Sequence, residues 1–165
     1  MKPLLCLLVA AMLCGCAAIT PPPKWNPSTA ATEAEYQPYL VQGTAVISGQ
    51  AFLTQRGGGV VKAAGKSVTL DPATSIGNEW WEKAGRVWIQ RGQFPPSSNF
   101  YKARRETVAD AEGRFKFSDL PAGKYILRTE VTWEVGDLPI QGGVVGTTCE
   151  VKAGKNAEVV MAQMP

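Results

Sequence analysis

The chain has 165 residues, a formal net charge of +3 and no histidine. The length allows one domain of ordinary size with additional segments, and the low net charge argues against nucleic acid as a partner. The lack of histidine excludes Ser-His-Asp and Cys-His catalysis and a His-ligated zinc ion. The chain has 17 glycines and 12 prolines, which indicate frequent turns and favour an all-β fold.

The first fifteen residues have the pattern of a signal peptide. Lys2 supplies a positive charge, and residues 4–13 form an apolar run (LLCLLVAAML). This run is about ten residues long, whereas about twenty are needed to span a bilayer. We therefore predict that residues 1–15 are removed from the mature protein.

A short motif ends this segment. Leu13-Cys14-Gly15-Cys16 resembles the lipobox of bacterial lipoproteins. The resemblance implies cleavage before Cys16, attachment of diacylglycerol to its sulfur and palmitate-type acylation. Two or more acyl chains give a stable membrane anchor. Ala17, rather than aspartate, follows the cysteine, which by the same resemblance favours the outer membrane, with the protein facing the periplasm.

Processing also changes the cysteine count. Cys6 and Cys14 leave with the signal peptide and Cys16 carries lipid, so Cys149 is the remaining thiol and no intramolecular disulfide is expected. Cys149 is interpreted as a small buried hydrophobic residue in a strand. The alternative is an intermolecular disulfide or a reactive thiol in an oxidising compartment.

Residues 16–39 are predicted to be the lipidated N-terminus and a proline-rich tether without regular structure. Such a segment is a semi-rigid spacer of about 3 Å per residue. Trp25 within it has three open interpretations: packing on the domain, lying near the lipid surface or contacting a partner.

Residues 40–165 are predicted to form a β-domain. The clearest strand is residues 125–135, where apolar and polar residues alternate with period two, which indicates one buried and one wet face. Further strands are predicted at 43–53, 67–70, 113–118, 145–151 and 157–161, the last two as a C-terminal hairpin.

One segment lacks this alternation. Around residues 78–91 we predict a short helix, with Asn78 as its N-cap and its end at Arg91 and Gly92. The predicted apolar face of this helix consists of Trp81, Ala84, Gly85 and Trp88.

Residues 107–127 (TVADAEGRFKFSDLPAGKYIL) closely resemble the core of carboxypeptidase regulatory-like domains. The resemblance implies a transthyretin-like (prealbumin-like) Greek-key β-sandwich of about seven strands, which agrees with the alternation, and Asp110 is interpreted as a turn residue. The resemblance indicates a fold rather than an activity. The matching residues are Asp110, Gly113, Phe115, Phe117, Leu120, Pro121, Gly123 and Tyr125.

The segment between Gly77 and Arg105 is rich in aromatic and basic residues, the types that dominate interface hot spots. Aromatic faces also stack on sugars, and arginines pair with carboxylates or phosphates. The alternative is that the aromatic residues form a satellite core on the sandwich. The candidate partner or ligand surface consists of Trp80, Trp81, Arg86, Trp88, Arg91, Tyr101, Arg104 and Arg105.

The sequence therefore predicts a non-enzymatic interaction or structural module of the cell envelope, anchored to the outer membrane through Cys16. Its expected partner is an envelope protein, within a larger envelope or secretion assembly. The alternative is a module that binds peptidoglycan or polysaccharide, and a weaker alternative is a hydrolase. No cofactor, metal site or catalytic residue is predicted.

Overall fold

The computed structural model describes residues 21–88 and 92–163. Within them, eight strands form two four-stranded sheets that pack as a β-sandwich, so the predicted all-β sandwich is confirmed. The eight strands exceed the predicted number of about seven, and the residue pattern did not place the two short strands β2 and β4. The strands are β1 Ala45–Thr54, β2 Val60–Lys62, β3 Ser67–Pro72, β4 Arg105–Val108, β5 Arg114–Leu120, β6 Gly123–Trp133, β7 Gln141–Val151 and β8 Asn156–Met161.

The two sheets are built differently. In the first sheet β1 pairs with β2 and β5 antiparallel and with β8 parallel. The second sheet has the antiparallel order β4-β3-β6-β7. The predicted C-terminal hairpin is wrong, because β7 pairs with β6 while β8 crosses to pair with β1. The turn at residues 152–155 therefore carries the chain from one sheet to the other, and Val151 and Met161 both enter the core between the sheets.

The turn before β5 has a recognisable sequence because its geometry requires particular residues at two positions. The Asp110 carboxylate accepts hydrogen bonds from the backbone N–H groups of Glu112 and Arg114, both at 2.8 Å, as expected of a turn residue. Gly113 has φ +72°, and a Cβ there would lie 2.6 Å from the carbonyl oxygen of Ala51. Both its left-handed backbone and the close approach of β1 therefore require glycine.

The remaining motif residues build the core and the corner after β5. Phe115 and Phe117 are buried between the sheets with their rings 6.1 Å apart. The Tyr125 hydroxyl donates a 2.8 Å hydrogen bond to the carbonyl of Pro121, which fixes the corner between β5 and β6. Gly123 leaves room for Tyr39, whose ring would lie 2.5 Å from an added Cβ.

A third layer covers the outer face of the second sheet. It contains α1 (Ala30–Ala34), a 3₁₀ turn (Gln37–Tyr39), α2 (Ser75–Trp80), a π-helical turn (Trp81–Gly85) and α3 (Ser98–Ala103). The predicted wet face of β6 is wrong at Ile126, which is fully buried, while Arg128, Glu130 and Thr132 on that face are half-buried and Glu134 is exposed. Tyr36, Ile76, Trp80, Ala84, Phe100 and Ala103 form a second buried cluster, here called the outer-face cluster.

The helix predicted around 78–91 begins earlier and changes its geometry. Thr74, not Asn78, caps α2, and its hydroxyl accepts a 3.0 Å hydrogen bond from the N–H of Gly77. The π-helical turn then follows, in which the N–H of Arg86 bonds to the carbonyl of Trp81, five residues back. Ile76, Trp80 and Ala84, spaced four residues apart, face inward. Ala84 belongs to the predicted apolar face, whereas Ile76 and Trp80 do not, because the helix begins at Ser75 rather than after Asn78.

The C-terminal part of the predicted tether is folded. Glu35 accepts hydrogen bonds from the backbone N–H of Ser75 (2.6 Å) and from its hydroxyl (2.8 Å) at the start of α2, and Glu33 accepts one of 3.3 Å from the N–H of Asn99 in α3. Tyr36 is fully buried in the outer-face cluster, and Trp25 packs against that cluster while half-buried. The small polar residues, Pro27 and Pro38 indicated an irregular segment. The contacts with the domain instead hold this segment in a defined conformation.

In the part of the chain that the structure describes, no helix is long and apolar enough to cross a membrane. The predicted signal peptide and the lipobox with Cys16 lie outside the described residues.

Tyr36→Ala is expected to lower the free energy of unfolding by about 3–5 kcal/mol, because it removes a fully buried aromatic ring. Tyr101→Ala is the matched control, since the Tyr101 side chain is 54% exposed, and it should cost about 1 kcal/mol or less. Urea unfolding of both variants measures the difference. Equal small losses would contradict the packing of the N-terminal segment on the domain.

Candidate binding cleft

A cleft of about 210 Å³ opens where the third layer meets the outer face of the second sheet. Helix α2 and the loop before α3 supply an aromatic wall, and strands β3, β4 and β6 supply polar groups. The main lining residues are Thr69, Trp80, Phe94, Arg104, Glu106 and Arg128.

Arg104 is the central residue of this wall. Its Nε and Nη2 atoms donate to the two carboxylate oxygens of Asp71 at 2.7 and 2.8 Å. Asp71 lies on β3 and is fully buried, while the Arg104 side chain is 16% exposed. This bidentate pair fixes both the position and the plane of the guanidinium group.

Three aromatic rings surround that guanidinium group. The Arg104 Cζ atom lies 4.5 Å from the ring centroid of Trp80, 4.8 Å from that of Phe100 and 5.0 Å from that of Phe94. These are cation–π distances. The Trp80 and Phe94 rings are nearly parallel, with an interplanar angle of 7°. The indole N–H of Trp80 donates to the carbonyl of Gln93 at 3.1 Å, which holds the loop carrying Phe94.

The electrostatics of Asp71 follow from its burial. Burial raises the pKa of its carboxyl above the ordinary value, and the hydrogen bonds and positive charge of Arg104 oppose that shift. The pair thus offsets the cost of placing a carboxyl group beneath the third layer.

The opposite side of the cleft is formed by Arg128 and its neighbours on the sheet. The Arg128 Nε donates to the carbonyl of Gly85 at 2.5 Å, and its Nη2 donates to Glu130 at 2.8 Å. Glu106 on β4 accepts a 2.5 Å hydrogen bond from the hydroxyl of Ser67. The cleft therefore combines an ordered aromatic surface with guanidinium, carboxylate and hydroxyl groups in fixed positions.

The structure separates the sequence-predicted surface residues. Trp80 is 4% exposed and so lies in the wall instead of on the surface, which matches the alternative of a satellite core. Arg104 is next to it, whereas Tyr101 and Arg105 are exposed. The predicted set is therefore divided between the cleft wall and the exposed surface, and its role in binding stays a prediction.

The other predicted surface residues have separate environments. Trp81 packs over Gly146 of β7, where an added Cβ would lie 2.3 Å from its ring. Arg86 is exposed and forms a 3.0 Å ion pair with Glu82, and Trp88 is half-buried. Arg91 lies outside the described residues.

Sequence reasoning missed Asp71, Thr69, Glu106 and Arg128 as site residues. Asp71 follows the apolar alternation of β3, and an aspartate there also fits a turn residue at the surface, so the sequence alone does not mark it as buried. Arg128 and Glu130 alternate with buried residues on β6, but the same pattern fits a solvent-exposed face. Their role depends on the third layer, which comes from distant parts of the chain.

Cys149 on β7 lies away from the cleft. Its side chain is half-buried and packs against the core between the sheets, and burial raises the pKa of its thiol. A raised thiol pKa lowers the thiolate fraction and so disfavours reactivity. Among the described residues, no group of three or more Cys, Asp or Glu side chains is placed to hold a metal ion.

No protein-family model matches the sequence, and no curated protein matches it. A crystal structure from Pseudomonas aeruginosa, of a protein described as a "putative carbohydrate binding protein", is similar with a TM-score of 0.69 and 27% sequence identity. That match covers 85% of this chain and 100% of the other chain. The fold is thus shared along the full length of the other protein.

Two pilins resemble the chain less closely. The minor pilin of Streptococcus agalactiae has a TM-score of 0.39 and 14% identity, over 74% of this chain and 44% of the pilin. The major pilin subunit of Bacillus cereus has a TM-score of 0.43 and 12% identity, over 74% of this chain and 30% of the pilin.

Asp71→Asn is expected to lower the free energy of unfolding by about 3–5 kcal/mol, because it leaves the Arg104 charge unpaired in a buried site. Glu112→Gln is the matched control, because Glu112 pairs with Lys62 where both side chains are exposed. It should cost at most about 1 kcal/mol. Chemical denaturation measures both, and equal losses would contradict the central role of the Asp71–Arg104 pair.

Proposed function

We propose that this protein is a non-catalytic carbohydrate-binding module and that the cleft beside Arg104 is its sugar site. The observation that carries the proposal is the pairing of an ordered aromatic wall with charged hydrogen-bonding groups in one small cavity. The similar Pseudomonas aeruginosa protein, described as a putative carbohydrate-binding protein, supports it.

The chemistry of a sugar ring fits this arrangement. A pyranose has an apolar C–H face, which packs on an aromatic ring, and a rim of hydroxyl groups that donate and accept hydrogen bonds. Half-buried Phe94 offers the aromatic contact, and Glu106, Arg128 and Thr69 offer polar partners. Pockets for drug-sized ligands measure about 300–1,000 Å³, so a cavity of about 210 Å³ suits a single sugar ring.

The state of the carboxylates favours binding over catalysis. A glycoside hydrolase uses a carboxylic acid and a carboxylate that face the scissile bond. Here Asp71 is held by Arg104 and Glu130 by Arg128, so both are committed to ion pairs that shape the wall. Glu106 is then the carboxylate best placed to accept from sugar hydroxyls.

We also propose that Cys16 anchors the module by lipid to the outer membrane, facing the periplasm. The lipobox of residues 13–16 supports this. The first packed residues are near Lys24, whose carbonyl accepts a 2.6 Å hydrogen bond from Lys83. The spacer between Cys16 and the domain is then about seven residues, or about 20 Å if extended, shorter than a tether reaching to residue 39.

Docking onto an envelope protein is the second candidate function. The loop between β6 and β7 exposes Val135, Leu138 and Ile140 by 46%, 61% and 52%. Clustered exposed apolar side chains are typical of interaction surfaces. This loop, and not the predicted aromatic set, is where a protein partner would bind.

Glu106→Gln is expected to weaken sugar binding at least about tenfold, because a hydrogen bond to a charged group contributes about 1.5–3 kcal/mol. Stability should change little, since Glu106 is exposed on an edge strand. Glu158→Gln is the matched control on the exposed face of the other sheet. A glycan array selects the ligand and calorimetry gives the dissociation constants. Absence of binding to every sugar would reject the proposal and favour docking.

Cys16→Ser is expected to abolish incorporation of labelled palmitate and to release the protein from membranes. Cys14→Ser is the matched control, two residues away at the tolerant lipobox position, and it should keep both the label and the membrane association. Metabolic labelling followed by membrane fractionation distinguishes them. Label retained in Cys16→Ser would reject the proposed anchor.

A further inference from the structure

A second cavity of about 220 Å³ adjoins the cleft on the outer face of the second sheet. We infer that the site is a groove with two subsites, which binds at least two consecutive units of a neutral glycan chain; this inference rests on the proposed function. The second cavity is lined by Lys66, Ser67, Thr69, Arg128 and Glu130.

The two cavities share Thr69 and Arg128, which are register partners on β3 and β6. The first cavity lies toward Arg104 and Phe94, and the second lies toward Lys66 and Glu130. Residues that share a strand face are about 6.6 Å apart, which is of the order of one sugar unit. A glycan that crosses the Thr69–Arg128 pair would therefore place successive units in the two cavities.

The two subsites differ in character. The inner subsite has the aromatic wall formed by Trp80 and Phe94. The outer subsite has no aromatic lining residue, and Lys66 reaches across it to the hydroxyl of Thr132 at 3.4 Å. The inner subsite should therefore supply the affinity for one sugar ring, and the outer subsite should add hydrogen bonds to the next one.

The charges along the groove balance. Its three cations, Arg104, Arg128 and Lys66, lie among three carboxylates, Asp71, Glu130 and Glu106. Arg104 is paired with Asp71 and Arg128 with Glu130. The groove therefore has no excess positive charge to attract a uronic acid, whereas fixed ionic groups make strong hydrogen bonds to neutral hydroxyls.

The test uses the mature protein and four matched series of sugars, built from glucose, galactose, mannose and N-acetylglucosamine. Each series contains the neutral mono-, di- and tetrasaccharide, and the first three also include the corresponding uronic acid disaccharide. Calorimetry gives a dissociation constant for each sugar. For the configuration that binds, we expect at least a tenfold gain in affinity from mono- to disaccharide and no preference for the uronic acid.

Lys66→Ala tests the outer subsite, and Lys116→Ala on the exposed face of the other sheet is its matched control. Lys66→Ala should remove most of the gain from the second sugar and leave monosaccharide affinity unchanged, while Lys116→Ala should keep both. Equal affinity for mono- and disaccharide, or an unaltered length dependence in Lys66→Ala, would overturn the two-subsite groove while sugar binding stands. Tighter binding of the uronic acid would overturn the inference that the glycan is neutral. No binding of any sugar would reject the proposed function itself.

Discussion

The buried ion pair between Asp71 and Arg104 joins the second sheet to the layer that covers it. A carboxylate on β3 beneath other chain segments is costly unless a cation with matching geometry meets it. Arg104 directly follows α3, so the pair fixes the end of that helix against the sheet, and the rings of Trp80 and Phe94 then pack on the same guanidinium group. One side chain therefore holds the strand, two helices and the loop that form the cleft wall. A wall ordered in this way loses little conformational entropy when a ligand binds.

The helical layer covers the outer face of the second sheet and not that of the first, and the residues on the strands explain this difference. The outer face of the first sheet carries the polar residues Ser48, Gln50 and Lys116, of which Lys116 is exposed and the other two are half-buried, and polar residues of this kind can stay in contact with water. The second sheet presents Ile126, which favours burial, and Gly146, whose missing side chain makes room for Trp81. The helical segments therefore pack on the second sheet, and the cleft forms where that cover stops at the polar residues Thr69 and Arg128.

Local signals were enough to predict the sandwich but not its third layer. The turn at Asp110 and Gly113 depends on hydrogen bonds within five residues, so its sequence pattern is direct. The pairing of β8 with β1 joins residues about 110 positions apart, and no short pattern specifies it. The helical segment was expected, but it begins at Ser75, so Ile76 and Trp80 join Ala84 on its buried face. The cleft was missed because Asp71 and Arg128 acquire their roles only from partners on other elements.

The N-terminal segment and the cleft depend on the same helices. Glu35 accepts hydrogen bonds from Ser75 at the start of α2 and Glu33 accepts one from Asn99 at the start of α3, while Tyr36 fills the cluster between them. Those helices carry Trp80 and lead into Arg104, which form the cleft wall. With lipid on Cys16, about seven residues would separate the membrane from this assembly. The proposed sugar site would then be held within a short distance of the membrane surface, and its orientation would be restricted by a short spacer and by the folded N-terminal segment.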